Sequence, residues 1–160
     1  MEHLTVISPA PWTDCLACAG GPALARKAAI WMRGRGDSCA LFAGAELLAV
    51  AYLVPIDDGQ LEFCLAVLPV ARPHMLALCR FAHSTLTAAH ENGAVVVCRV
   101  VEGNRAGERM ARLTGFHRVS DTFWHFGEQD GKDREQPFRR GRQGREAAGG
   151  TEPPASAGGE

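Results

Sequence analysis

Apolar positions recur along the chain with two different periods, and the two periods predict different elements. Short apolar runs bounded by Gly, Pro, Asp or Asn predict strands. Segments in which apolar residues return every three or four positions predict helices. The predicted strands are residues 4–7, 39–42, 47–54, 61–68, 94–101, 116–120 and 122–126. The predicted helices begin at Thr13 or Asp14 and run to about residue 31, with an interruption at Gly20-Gly21-Pro22, and then cover 73–90 and 104–115.

The predicted helix 73–90 has one apolar face. Its apolar side chains recur at spacings of three, four and seven residues, at Met75, Leu78, Cys79, Ala82, Leu86 and Ala89. Asn92-Gly93 ends this helix. The run that follows, 94–101, is apolar on both faces, which is typical of a parallel strand covered on both sides. The order of elements therefore predicts an α/β (α+β) fold with a mixed sheet, in which an antiparallel meander precedes a strand–helix–strand unit.

That strand–helix–strand unit, 61–101, predicts where a ligand binds. Such a crossover is right-handed. Two parallel strands joined in this way leave a crevice at their carboxyl ends, beside the amino terminus of the crossover helix. Helix amino termini attract anions, so this crevice favours a phosphate-bearing ligand.

The segment from Asn104 to Gly115-Phe116 is the most informative one in the chain. Asn104 predicts a helix start, because its side chain can accept a hydrogen bond from the first-turn amides. Gly115 predicts the helix end, because glycine adopts the left-handed conformation without a Cβ penalty. A buried strand precedes this helix and an aromatic strand follows it. The helix is therefore expected to border the crevice.

Composition predicts one folded domain and a tail. The chain has 160 residues, 46% of them hydrophobic, and a net charge of −1. We place the domain at 1–127 and expect the tail, 128–160, to be disordered, because its second half has nothing large to bury. Four arginines in 139–145 favour either an anion-binding arm or a solvated linker. We favour the linker because nearby acidic residues balance the charge, and we do not expect nucleic acid as a partner.

The chain shows no leader and no run of about 18 apolar residues, so we expect a cytoplasmic protein without a membrane partner. The six cysteines are then expected to be reduced thiols. Cys15 and Cys18 have the spacing of half a metal site, but no second pair of ligands follows at a suitable distance. We interpret them as two thiols on neighbouring helical turns and expect no metal.

Residues 38–127 resemble the GNAT superfamily of acyl-CoA-dependent N-acyltransferases, in the order of elements and in the Asn104…Gly115-Phe116 segment. The resemblance implies a mixed sheet whose two parallel strands splay apart around acetyl-CoA. It also implies that the pyrophosphate binds at the start of the long helix. An amine acceptor then attacks the thioester directly.

The resemblance implies a set of cofactor-binding residues around the start of the long helix: Leu68, Val70, Arg72, His74, Met75, Ala77 and Asn104. The family loop reads Arg/Gln-x-x-Gly-x-Gly/Ala, so Met75 stands where the first glycine is usual. Met75 then either projects toward the phosphates, with Arg72 and His74 adding charge-assisted contacts, or belongs to the core.

The resemblance also implies roles for two further positions. Glu62, on the strand that leads into the loop, is the candidate general base for the amine. Many members carry a tyrosine seven residues after the Asn, where it protonates the leaving thiolate, but here that residue is Ala111. The alternative is therefore a GNAT-like structural or binding protein without catalysis, similar to proteins of phage virions. Aromatic residues on both faces of 122–126 raise the further hypothesis of a homodimer.

Overall fold

The computed structural model describes residues 4–127. The predicted tail, 128–160, with its arginine-rich stretch, lies outside the described residues. The strands are β1 (Leu4–Ile7), β2 (Asp37–Ala43), β3 (Glu46–Pro55), β4 (Leu61–Val67), β5 (Val96–Arg99), β6 (Phe116–Arg118) and β7 (Phe123–Phe126). The α-helices are α1 (Trp12–Ala19), α2 (Ala23–Arg35), α3 (Met75–Glu91) and α4 (Arg105–Thr114). Two short 3₁₀ segments, Asp57–Gly59 and Pro69–His74, flank β4.

The strands form one mixed sheet in the order β1-β2-β3-β4-β5-β7-β6. The meander β1 to β4 is antiparallel throughout, and β3 pairs with β4 from Ala49↔Val67 to Pro55↔Leu61. The pair β4–β5 is parallel, and β5, β7 and β6 continue antiparallel. The predicted fold class, a meander followed by a parallel crossover, is confirmed.

The helices cover the two faces of the sheet in pairs. Val50 and Ala51 are neighbours on β3 and therefore point to opposite faces. Val50 packs in one buried cluster with Cys15 of α1 and Ala29 of α2. Ala51 packs in another with Leu78 of α3. A third cluster joins α3 and α4 to β5, β6 and β7 around the buried Trp124.

Several predicted boundaries are wrong, for identifiable reasons. The first helix begins at Trp12 rather than at a Thr13 or Asp14 cap. The reason is that the carbonyl of Pro11 accepts hydrogen bonds from the amides of Asp14 and Cys15, each at 3.1 Å. The predicted strand 94–101 is reduced to β5. At its start the amide of Ala94 donates to Ala89 of α3 at 3.0 Å and thereby extends the helix end.

The start of the long helix also differs from the prediction. Residues Pro69–His74 form a 3₁₀ segment, and α3 begins only at Met75. Pro73 lies inside this segment and has no amide hydrogen to donate. Within residues 4–127, no helix has the length and apolar content needed to cross a membrane.

Candidate active site

The crevice lies where β4 and β5 separate. The two strands pair only at Leu61↔Val96 and Glu62↔Val97. Beyond Glu62, β4 continues along β3 while β5 pairs with β7, so the strands diverge. A cavity of about 210 Å³ fills the gap between these strands and α4. We call it the crevice; its lining is Phe63, Leu65, Cys98, Arg99, Val100, Val101, Asn104, Gly107, Met110, Ala111, Thr114 and Phe116.

Asn104 holds the start of α4 against the crevice. Its side-chain oxygen accepts the amide of Gly107 at 3.0 Å, which satisfies one of the unpaired amides of the first helical turn. A Cβ on Gly107 would lie 2.6 Å from the Asn104 side-chain nitrogen and 3.0 Å from Val100 Cγ1. The absence of a Cβ at Gly107 therefore leaves room for the Asn104 side chain to cap the helix. This role was not predicted from the sequence.

Gly115 holds the other end of α4, as the sequence predicts. Its φ of 107° is left-handed, and its amide donates to Ala111 and Arg112 of the last turn. A Cβ there would lie 2.9 Å from His83 Nδ1 and 3.0 Å from Phe126 Cε2. The His83 ring in turn bonds the carbonyl of Thr114 at 2.9 Å. Gly115 thus allows α3, α4 and β7 to approach one another.

The start of α3 holds most of the residues that the resemblance implies, and it lies outside the lining of the crevice. Leu68 donates its amide to Leu48 at 2.9 Å, which ties the loop to β3. Val70 and Arg72 are exposed, whereas His74 and Ala77 are half-buried. No side chain caps α3, so its first-turn amides are not occupied in that way.

Met75 packs against the buried cluster that contains Ala71 and Leu78. Of the two interpretations of Met75, this packing supports the core residue. Its backbone still stands in the first turn of α3. The substitution of the usual glycine therefore changes the core contact and leaves the amide in place.

Glu62 has a partner that the sequence did not reveal. Its carboxylate lies 3.4 Å from the guanidinium of Arg99. The Glu62 side chain is 20% exposed and that of Arg99 is 63% exposed. Arg99 is among the residues that line the crevice, whereas Glu62 is not. The one signal in the sequence is that Arg99 is the only charged residue in the predicted strand 94–101.

Few groups in the crevice can donate a proton. Ala111 lines it at the position where the family often has tyrosine. The hydroxyl of Thr114 donates to Met110 at 2.9 Å. Burial, with the nearby Cys64 and Glu62 adding to it, raises the pKa of the Cys98 thiol to about 12. Cys98 is therefore a neutral and poorly acidic thiol near pH 7.

Tyr52, the single tyrosine of the chain, does not take the missing role. It is 1% exposed and packs on the opposite face of the sheet, in the cluster of α1 and α2. Burial and the neighbouring thiols of Cys15, Cys18 and Cys64 raise the pKa of Tyr52. Its hydroxyl is thus kept neutral, and it does not line the crevice.

The remaining predictions concern metal and thiols. Between residues 4 and 127, no three His, Cys, Asp or Glu side chains are grouped so that they could hold a metal ion. The six cysteines of that part of the chain are free thiols.

The homodimer stays a prediction. Trp124 itself is buried, beneath the guanidinium groups of Arg112 at 5.3 Å and Arg118 at 5.9 Å.

Comparison by sequence gives no relatives: no protein-family model matches the chain, and neither does a curated protein. Comparison by structure finds many proteins of similar fold. A Desulfovibrio desulfuricans protein assigned to the GNAT family superposes with a TM-score of 0.62 at 10% identity, over 78% of this chain and 98% of that one. A Bacillus subtilis acetyltransferase in complex with CoA gives 0.59 at 15%, over 74% and 79%.

A third structure is the ribosomal-protein-S18-alanine N-acetyltransferase of Escherichia coli. It gives a TM-score of 0.57 at 13% identity, over 77% of this chain and 90% of that one. All three comparisons span most of both chains. The chain therefore has the fold of the GNAT acetyltransferases.

Proposed function

We propose that the protein transfers an acetyl group from acetyl-CoA to the nitrogen of an amine. The observation that supports this most directly is the crevice between β4 and β5, bordered by the capped helix α4 in a GNAT fold. One of the similar structures is a complex with CoA. The crevice has the apolar wall of Phe63 and Leu65 that a pantetheine arm and an acetyl methyl group require.

The start of α3 is the proposed anion site for the pyrophosphate. The first-turn amides of a helix attract phosphate, and no side chain caps α3. Arg72 is exposed at this helix start and can add a charge-assisted contact. His74 lies in the same 3₁₀ segment. Leu68 and Val70 would border the pantetheine between this loop and the crevice.

Glu62 is the proposed general base. In the reaction the neutral amine nitrogen attacks the thioester carbon, an N–C bond forms and the C–S bond breaks. Glu62 first takes a proton from the ammonium form of the acceptor and passes it to solvent, which leaves the nitrogen neutral, and the proton that the nitrogen loses after attack follows the same route. The sulfur leaves as a thiolate and takes a proton from solvent, because neither Ala111 nor the poorly acidic Cys98 can supply one readily. A thiolate is stable enough to leave without a general acid.

Acetyl-CoA binding is the first test of this function. Titration calorimetry is expected to give a dissociation constant in the micromolar range. Acetyl-CoA at a hundredfold excess over that constant should stabilise the folded protein by about 2.7 kcal/mol, measured by thermal unfolding. No calorimetric signal and no change of the melting temperature at millimolar acetyl-CoA would refute the proposal. That result would favour the alternative of a non-catalytic structural or binding protein. The three similar structures give no reason to prefer that alternative, because all three are described as acetyltransferases.

Turnover is the second test. Glu62→Gln should slow acetyl transfer by about 10²-fold or more while acetyl-CoA binding is unchanged. Glu46→Gln is the matched control, because Glu46 is exposed at the start of β3. Released CoA should be measured by chromatography, since the six thiols of the protein react with thiol reagents. An unchanged rate in Glu62→Gln would remove Glu62 from the mechanism.

A further inference from the structure

We infer that the acceptor is a small amino acid, whose ammonium group binds Glu62 and whose carboxylate binds Arg99. The inference rests on the proposed acetyl transfer and adds the class of its second substrate. It starts from the position of the two side chains. Glu62 forms the last β4–β5 pair before the strands diverge, and Arg99 ends β5 two residues beyond Val97, the partner of Glu62.

The two charges lie on one face of the sheet. Side chains alternate along a strand, so Val97 and Arg99 point to the same side, and Glu62 points there with them. This is the face opposite to the cluster that holds Cys98. The position opposite Arg99 on β7 is Phe123, which is half-buried. An acceptor that approaches from this face would meet both charges before it reaches the crevice.

The pair is weak enough for a substrate to open it. Its atoms are 3.4 Å apart, and Arg99 is mostly exposed to water. Because Arg99 is mostly in water, salt screens the pair and it contributes less to stability than a fully buried pair would. A substrate that brings one charge of each sign replaces this single contact with two. Arginine is especially suited to the carboxylate, because its planar fork can bind both oxygens at once.

Other amines fit the pair less well. A diamine or an amino-acid amide brings an ammonium group for Glu62 but no anion for Arg99. Its binding would leave the guanidinium without a partner beside a new positive charge, which disfavours the complex. The pair therefore selects for a negative group close to the amine. Since Glu62 and Arg99 are in contact, the two charges of the acceptor must also lie close together, as they do in an amino acid.

The test uses a panel of free amino acids, each paired with its own carboxamide. Acetyl transfer is followed by chromatography of CoA, and binding of each compound is followed by calorimetry in the presence of acetyl-CoA. The best amino acid should exceed its amide by about tenfold or more in kcat/KM and in affinity. Arg99→Ala should bring that ratio to about one. Arg99→Glu should reverse it and favour a diamine.

Arg109→Gln is the matched control, since Arg109 is exposed on α4 and does not line the crevice; its ratio should equal that of the unaltered protein. Equal binding and equal transfer of acid and amide would overturn the inference and leave the proposed transfer intact. A ratio that persists in Arg99→Ala would overturn the role of Arg99. Calorimetry of acid and amide tests the inference even if turnover is absent. Failure of acetyl-CoA itself to bind would refute the proposed function separately.

Discussion

Helix α4, which borders the crevice, and helix α3, the proposed anion site, begin in different ways. Helix α4 begins at Asn104, whose side chain accepts the amide of Gly107, and it ends at the left-handed Gly115. Helix α3 follows the 3₁₀ segment Pro69–His74 and has no side-chain cap. Its start is fixed by tertiary contacts instead, with Ala71 fully buried and Met75 against the same cluster. Local sequence therefore determines the ends of α4, whereas packing determines the start of α3.

This difference has a functional side. A side-chain cap occupies first-turn amides, and the amides of α4 are partly occupied by Asn104. The first turn of α3 has no such occupant, and it contains no acidic residue that would repel an anion. The proposed division is that α4 shapes the crevice and α3 receives the phosphates. Changes at α4 should then act mainly on stability, and changes at the start of α3 should separate stability from binding.

The largest effect is expected at the end of α4. Gly115→Ala puts a Cβ at a φ of 107° and within 3.0 Å of both His83 and Phe126. The left-handed conformation costs an L-residue about 1–2 kcal/mol. Displacing two packed rings adds about 1–3 kcal/mol. We expect a total loss of about 3 kcal/mol in the free energy of unfolding, measured with urea.

The matched control lies at the end of α3. Gly93 also has a positive φ, 88°, but a Cβ there would meet no atom within 4 Å. Gly93→Ala should therefore lose only the backbone part, about 1–2 kcal/mol. Equal losses in the two variants would show that the close approach of His83 and Phe126 to Gly115 contributes nothing.

The second effect is at the start of α3. Met75→Ala removes a half-buried side chain from its cluster and should cost about 1–2 kcal/mol, below the roughly 2–5 kcal/mol of a fully buried methionine. Acetyl-CoA affinity should not change, because the amide is retained. Leu76→Ala, at a neighbouring side chain that is 62% exposed, is the control and should cost little.

The opposite result would reverse the interpretation of this loop. If Met75→Ala or Met75→Gly tightened acetyl-CoA binding without loss of stability, the Met75 side chain would be limiting the approach of the phosphates. Calorimetry and urea unfolding on the same samples distinguish the two results. The start of α3 would then differ from that of α4 in how freely the phosphates reach it, and not in how it packs.

The same contrast explains which parts could be predicted from the sequence. The ends of α4 were predicted correctly, because Asn104 and Gly115 act on the nearest backbone amides. The starts of α1 and α3 were not predicted correctly. The start of α1 depends on hydrogen bonds to the carbonyl of Pro11, and that of α3 depends on the 3₁₀ segment Pro69–His74 before it. The meander was predicted because its strands are strongly apolar and separated by short turns.

The candidate site was predicted only in part. Glu62 was predicted as the candidate base from its position alone, and that role stays a prediction; its partner Arg99 is 37 residues further along the chain. Their contact depends on the register of two parallel strands joined through α3, and that register has no local signal. The role of Gly107 was not predicted for a similar reason, because it depends on the position that the Asn104 side chain takes in the folded protein.

The third effect is at the start of α4. Asn104→Ala removes the hydrogen bond to the amide of Gly107 and should cost about 1 kcal/mol in urea unfolding. Asn104→Asp keeps an oxygen at the same place and should retain nearly all of the stability, because Asp and Asn cap equally well. A loss in Asn104→Asp as large as that in Asn104→Ala would mean that the cap is not what fixes this end of α4.

The smallest effect concerns a charge that α4 has and α3 lacks. Glu108 lies in the first turn of α4, with its carboxylate 3.5 Å from Arg112 and 4.0 Å from Arg118. Both arginines are substantially exposed, so Glu108→Gln should cost only about 0.3–0.5 kcal/mol, and high salt should abolish most of the loss. A double-mutant cycle with Arg112→Gln isolates this pair from the contact of Arg112 with Trp124. A coupling above about 1 kcal/mol would show that ion pairs, and not only the cap and Gly115, hold α4 in place. The contrast with α3 would then be electrostatic as well as local.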